Sequence, residues 1–200
     1  CSVIAGCNGN SGWLYLKFDY MAKINLKKAS QIAAVIAVSS TAIYQYSRTD
    51  YKHWIDVDKD CQNTRQEVSI VESLEKVALD KKGCEVVKGK WYDPYTNKYF
   101  INPNDLNADH FVPLGEVDKS GGHEWPQEKK KEYANDLKDA EVLIAVDKSA
   151  NRSKGDKDPS DWLPSNQKFQ CDYIKTWQKI KKQWKLSMDE IGRASCRERV

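Results

Sequence analysis

Residues 105–114 read "DLNADHFVPL", and the reading of this stretch decides the fold. Apolar side chains alternate with polar ones, the period-two pattern of a half-buried strand. Pro113 ends it, because proline has no amide to give to a ladder. Inside the strand Asp109 and His110 stand side by side, two residue types that handle metals and protons. Neighbouring strand side chains point to opposite faces, so the pair can serve one site only if the strand ends or bends there. Pro113 and the long connection that follows are consistent with such an end.

Working upstream, "GCEVVKGKWYDPYTNKYFI" predicts two short strands around a turn at residues 93–97, where Pro94 fixes the backbone angle. "TRQE" at residues 64–67 has the form of a capping box, with the Thr64 hydroxyl and the Glu67 carboxylate at a helix start. The helix it opens should run to about Leu79, burying Val68, Val71, Leu74 and Ala78. Downstream, a Gly-rich turn precedes Pro126, placed as the first residue of a charged helix through Ala134. "EVLIAV", residues 141–146, is the strongest strand signal. Ser149 is a candidate cap for a short helix that breaks at Gly155 and Pro159. A last helix from Cys171 to about Leu186 carries Tyr173, Trp177, Ile180 and Trp184 on one face. The sequence contains no internal repeat, P-loop or dinucleotide glycine fingerprint.

The chain has 200 residues and seven tryptophans, enough for one domain with a substantial core. Neither end reads as part of it. From Met21, "MAKINLKKASQIAAVIAVSSTAIYQY" has a basic n-region (Lys23, Lys27, Lys28), a short apolar run and small residues at cleavage-like spacing, the pattern of an export signal over residues 21–42. The apolar run is well short of the roughly 20 residues a spanning helix needs, so no stable membrane span is expected after cleavage. Residues 1–20 are then expected to be upstream translation not native to the protein. Residues 191–200, "IGRASCRERV", resemble the translation of a common sequencing adapter. The expected domain is residues 43–190.

Trimming changes the charge argument. The full chain has a formal charge of +3, whereas residues 43–190 hold 25 Lys and Arg against 27 Asp and Glu, a net of −2. Only local patches, and not bulk charge, can therefore argue for nucleic-acid binding. The same trimming leaves Cys61, Cys84 and Cys171. An exported compartment permits a disulfide, and Cys61 with Cys84 is the expected pair, although three cysteines do not fix connectivity.

In chain order the sequence then offers a strand ending in Asp109-His110, a long connection, Asn135 before a second strand, and Asn151 opening a helix. Taken singly, each has a plain reading: His110 a half-buried strand histidine, Asn135 a turn residue, Asn151 a helix-start residue. Their order resembles a known family. "DLNADHFVPL", "EYANDL" and "ANRSKGD" look like the three pieces of an HNH endonuclease, the ββα-metal superfamily. The longer run "DCQNTRQEV…WYDPYTNKYF…ADHFVPL…W…YANDL…LIAVDKSANRSKGDKDPSDWLP…C.Y…W" is similar to its exported bacterial branch, related to the nuclease part of GmrSD-type modification-dependent restriction enzymes. The resemblance spans about residues 51–188. It implies an α+β fold: a ββα-metal core with an N-terminal helix and hairpin and a C-terminal helix.

The resemblance also implies roles. Asp109 and Asn151 would hold one divalent cation, Mg2+ or another such as Mn2+, with oxygen ligands suited to a hard ion. His110 would be the general base toward the attacking water, since imidazole titrates near working pH. Asn135 would hydrogen-bond across the loop and hold the His-bearing segment. Arg65, Arg152 and Lys154 are candidate phosphate contacts, each with the plain alternative of solvated surface charge. Lys175, Lys179, Lys182 and Lys185 form a second candidate DNA track, with a soluble helix face as its alternative.

"DVDKDCQNTRQE" places Asp56, Asp58, Asp60 and Glu67 at the first, third, fifth and twelfth positions of a calcium loop. Cys61 stands where such a loop needs glycine, and Thr64 and Glu67 already read as a cap, so a structural Ca2+ is a candidate only. His53 and His123 carry no motif and read as surface residues. The expected function is an exported, metal-dependent endonuclease acting on DNA, with RNA as a further substrate and little base specificity. A non-catalytic nucleic-acid-binding module and an antibacterial toxin nuclease are the alternatives.

Overall fold

The computed structural model describes residues 44–188; the expected export signal and both trimmed ends lie outside the described residues. A 3-10 turn at Arg48–Asp50 leads into the acidic loop, followed by helix α1 (Thr64–Val71), strands β1 (Ala78–Leu79) and β2 (Val86–Lys88), and the hairpin β3 (Trp91–Asp93) and β4 (Lys98–Phe100). Strand β5 (Leu106–His110), helices α2 (Leu114–Lys119) and α3 (Gln127–Ala134), strand β6 (Leu143–Asp147) and helix α4 (Lys148–Lys154) follow, and α5 (Gln170–Gln183) is the last helix among the described residues. The fold is α+β, with helices around three separate two-stranded antiparallel sheets.

β5 and β6 form the central pair. They run antiparallel in unbroken register from Leu106↔Asp147 to His110↔Leu143, although 32 residues separate His110 from Leu143. Leu143, Ile144, Ala145 and Val146 are all buried, which explains why this strand reads as a continuous apolar run. β6 passes directly into α4, whose first turn is capped by Asp147: its side chain accepts from the Ala150 amide at 2.7 Å. Asp147, not the expected Ser149, is therefore the cap. Gly155 ends the helix at φ +54, a left-handed conformation glycine adopts without a Cβ clash.

The N-terminal helix differs from its expected form. Its cap is Asn63, which accepts from the Arg65 and Gln66 amides, while the Thr64 hydroxyl donates to Ile55 and Asn135. The helix stops at Val71, with Val71 and Leu74 exposed and only Val68 of the expected stripe buried. Ala78 instead belongs to β1, which pairs with β2, and the Leu74 amide already donates to the Lys90 carbonyl. Sheet pairing overrides the helical period here. Cys61 and Cys84 form the expected disulfide, tying the acidic loop to the segment before β2.

An aromatic core sits behind β5. Trp91, Tyr95, Tyr133 and Tyr173 have no exposed surface, and Tyr173 packs edge-on against Tyr95 and tilted against Phe111. α5 buries Tyr173, Trp177 and Ile180 of the expected stripe, together with Ile174, while Trp184 is the C-cap beyond the helix, half-buried against Trp125 and Tyr133. Lys181 on the same helix is buried and pairs with Glu116 of α2 at 2.6 Å. Of the expected lysine track, Lys179 pairs with Glu141 and Lys175 with Asp172, which neutralises much of its charge. Among the described residues, no helix is long and apolar enough to cross a membrane.

Candidate active site

The β3–β4 turn starts the site. Asp93 is fully buried and its two carboxylate oxygens accept from the Tyr95 and Thr96 amides and from the Thr96 hydroxyl. Asn166 clamps the same turn from outside, donating through its side chain to the Pro94 carbonyl and through its backbone to that of Tyr95. The turn so held points Tyr95 inward, where its hydroxyl donates to Asp109 Oδ2 at 2.8 Å.

The same Asp109 oxygen receives Lys154 Nζ at 2.6 Å, and Lys154 also donates to the His110 carbonyl at 2.8 Å. Lys154 has no exposed surface. This corrects its expected role as a phosphate contact: it lies one helical turn beyond Asn151, on the face of α4 that packs on β5, and serves Asp109 rather than a ligand. Burial pushes the Asp109 carboxyl up, opposed by the Lys154 charge and by hydrogen bonds from Lys154 and Tyr95. Burial also pushes Lys154 down, opposed by Asp109.

His110, the last residue of β5, is buried. Its Nε2 lies 3.0 Å from the Ala134 carbonyl. A carbonyl can only accept, so Nε2 carries the proton and Nδ1 keeps its lone pair. Burial is the main reason its pKa falls to about 3, opposed by the hydrogen bond to Ala134 and helped by the charges of Arg48 and Lys154. The ring is neutral at any ordinary pH. Its orientation is fixed by Trp54, 5.2 Å away between centroids, and by Tyr133, stacked at 6.2 Å. Trp54 holds φ +57, a conformation that is costly for a bulky side chain and is found at functional sites.

Asn135, beside Ala134, is the clasp of the region. Its carboxamide accepts from the Ile55 amide at 3.1 Å and the Thr64 hydroxyl at 2.8 Å, and donates to the Lys52 and Lys131 carbonyls at 2.6 and 2.8 Å. All of its direct bonds therefore go to the N-terminal segment and to α3. It reaches His110 only through its neighbour, Ala134.

Asp109, His110 and Asn151 line one polar pocket of about 220 Å3, together with Arg48, Arg152 and Asp156. Asp156 packs tightly on the start of α2: a Cβ at Gly115 would come within 2.6 Å of its carboxyl. Asp109 Oδ1 and the Asn151 carboxamide make no hydrogen bond within the described residues. An aspartate and an asparagine lining one polar pocket offer a carboxylate and a carboxamide oxygen, a donor set that fits a hard divalent cation keeping several waters. Arg152 is exposed at the pocket, with Nε donating to the Lys148 carbonyl. Arg65 is exposed outside the pocket, 3.5 Å from Asn107 Oδ1.

The sequence reading missed Tyr95, Trp54, Arg48 and His53. His53, expected at the surface, is half-buried and packs edge-on against Trp54 and His110. The available signal was the density of tyrosine, arginine, histidine and tryptophan in "YSRTDYKHW", residues 46–54.

The acidic loop is a second place with ligand character. Asp56, Asp58 and Asp60 are exposed, with carboxylate oxygens within 4.8 Å of one another. Cys61, where a calcium loop needs glycine, does adopt positive φ, +75. With Asn63 as the cap, Glu67 has no capping duty: its Oε2 is buried without a hydrogen-bond partner. Burial and the fields of Asp58, Asp60 and Asp56 push its carboxyl up.

The model of the family described as "GmrSD restriction endonucleases, C-terminal domain" matches residues 61–190. An "Uncharacterized secreted protein" of Arthroderma benhamiae is 36% identical over 150 residues, covering 75% of this chain and 72% of the relative. That relative is fungal, so it lends no support to the expected bacterial branch. No solved structure matches the chain.

Proposed function

Because the chain belongs to the family of the GmrSD restriction endonuclease C-terminal domain, we propose that it is an exported, metal-dependent endonuclease of HNH type. It hydrolyses phosphodiester bonds in DNA, and in RNA as a further substrate, with little base specificity. The observation that carries this reading is His110: its Nε2 proton is committed to Ala134, and it lines the pocket shared by Asp109 and Asn151. The β5–β6–α4 order, with Asp109-His110 closing the first strand and Asn151 on the helix, supports the ββα-metal assignment.

Asp109 Oδ1 and the Asn151 carboxamide oxygen would hold Mg2+ or another divalent cation such as Mn2+. When bound, such an ion relieves charge on the phosphate and on the departing oxygen. His110 Nδ1 takes the proton of the attacking water as the new P–O bond forms and the P–O bond to the leaving sugar oxygen breaks. Lys154 and Tyr95 hold Asp109 Oδ2, which keeps its other oxygen turned to the pocket. The depressed pKa of the free protein ensures an unprotonated base. Arg152, exposed at the pocket, positions the backbone, as does Arg65 farther out.

Export is supported by the Cys61–Cys84 disulfide, which needs an oxidising compartment, and by the secreted relative. A structural Ca2+ at Asp56, Asp58, Asp60 and Glu67 belongs to the same proposal; the buried, unpartnered Glu67 oxygen supports it.

Plasmid cleavage in Mg2+ and in EDTA tests the assignment, with His110→Ala as the base-less control. Loss of a general base is expected to slow cleavage by roughly 10²–10⁴-fold, and EDTA to stop it. A His110→Ala chain that cuts as fast as the parent refutes the base assignment. One observation favours a second reading, a binding module without catalysis: Lys154 already neutralises Asp109. That reading expects duplex binding unaffected by EDTA and no cleavage under any metal.

A further inference from the structure

The pocket has two arginines, and only one of them, Arg152, is a phosphate contact expected from the sequence. Arg152 comes from α4. Arg48 comes from the 3-10 turn at Arg48–Asp50, before the residues the family model matches.

Three observations set Arg48 apart from an ordinary surface arginine. First, it is exposed yet lines the pocket beside Asp109 and His110, and its charge acts on both. Second, it is held at one edge: its Nε–H donates to His53 Nε2 at 3.4 Å, while His53 Nδ1 donates to the Tyr51 carbonyl at 2.8 Å. The carbonyl fixes the His53 tautomer, leaving Nε2 as the acceptor. Third, no described carboxylate lies within ion-pair distance of Arg48, although Asp109 and Asp156 line the same pocket. The guanidinium therefore keeps its charge and its two terminal nitrogens for a ligand.

The backbone that follows Arg48 is firmly anchored. Tyr51, three residues on, has no exposed surface and donates to Asp118. Asn135 grips the next residues through the Lys52 carbonyl and the Ile55 amide. An uncompensated, tethered guanidinium facing a polar pocket matches a phosphodiester, whose paired non-bridging oxygens accept a planar fork.

We propose that Arg48 is a phosphate-contacting residue of this pocket, its terminal nitrogens donating to the non-bridging oxygens of the substrate phosphodiester opposite Arg152. The proposal rests on the nuclease reading and adds to it a residue from outside the family's span. Arg48 neutralises the phosphate in both ground and transition state, with a larger share in the transition state as charge builds on those oxygens.

The test uses the full chain and a fluorescent DNA duplex. Arg48→Ala and Arg48→Gln are expected to lower kcat/KM in Mg2+ by roughly 10²–10³-fold, the range for removing one transition-state donor. Arg48→Lys, which keeps charge without the fork, should fall between them and the parent. In a His110→Ala background with EDTA, where nothing is cut, duplex affinity is read against salt. There Arg48→Ala should reduce the slope of log K against log salt by about one contact. If the parent cuts and neither charge-removing variant changes rate or slope, the Arg48 assignment is overturned and the nuclease reading stands. If the parent fails to cut with any metal but the slope still falls, the nuclease reading fails and the phosphate contact stands. Two charge-removing variants are compared so that misfolding of one, seen in its melting curve, does not decide the outcome.

Discussion

Replacing Lys154 by methionine removes a charge from one of the two buried ion pairs among the described residues. Lys154 is fully buried, Asp109 nearly so, and their contact is 2.6 Å. Methionine fills much the same volume, so packing loss is small and electrostatics dominates. The variant leaves Asp109 with the Tyr95 hydroxyl as its one hydrogen-bond donor and leaves the His110 carbonyl without the Lys154 amine. Breaking a buried pair from one side costs about 3–5 kcal/mol, a large part of the roughly 5–15 kcal/mol that holds a domain together. At roughly 2–4 °C per kcal/mol for a domain of this size, melting should fall by about 6–20 °C. Circular dichroism in EDTA measures this directly. Lys154→Met with Asp109→Asn removes both charges and should recover much of the loss, giving a coupling well above the scatter of independent sites. Excess Mg2+ should raise the melting point of the single variant more than that of the parent, by restoring positive charge beside Asp109. A Lys154→Met chain that melts with the parent would show that the pair does not hold Asp109, and the account of the site built on it would fail.

Two further outcomes follow from the same structure. His110 has a pKa of about 3 when folded, against 6.5 as its ordinary value; a depressed value means its contribution is present above 6.5 and is lost as pH falls toward 3. Denaturant melts in EDTA should therefore show the parent losing about 1.4 kcal/mol more per pH unit than His110→Asn across that window; parallel curves would contradict the burial argument. For the acidic loop, calcium at about 100 times its dissociation constant should stabilise the parent by about 2.7 kcal/mol, EGTA should reverse this, and Asp58→Asn with Glu67→Gln should abolish it. A calcium effect of equal size in that double variant would place the ion elsewhere.

What the sequence made legible was set by local periodicity. β6 showed as an apolar run because both its faces are covered, and α5 showed through the spacing of Tyr173, Trp177 and Ile180. The β3–β4 turn showed through Asp93-Pro94. The order along the chain singled out Asp109, His110 and Asn151, and the fold brings the three to one pocket. The failures came where a distant partner decides. Nothing local distinguishes Lys154 from Arg152 two residues earlier, yet one is sealed against Asp109 and the other is exposed. Val71 and Leu74 kept a helical spacing, but pairing between β1 and β2 took the chain out of the helix. Tyr95 looked like a turn residue, and only the fold brings its hydroxyl to a carboxylate 14 positions away.

The strap of residues 46–60 has a practical meaning for anyone who would trim this protein to its recognisable core. A chain begun at residue 61 would keep the helix, the strands and the disulfide cysteines, and would look intact by every motif. It would nonetheless expose the flank of His110 now covered by Trp54, leave Asn135 without Lys52 and Ile55, and discard Arg48. Such a fragment could score as inert in a cleavage assay for reasons unrelated to its chemistry.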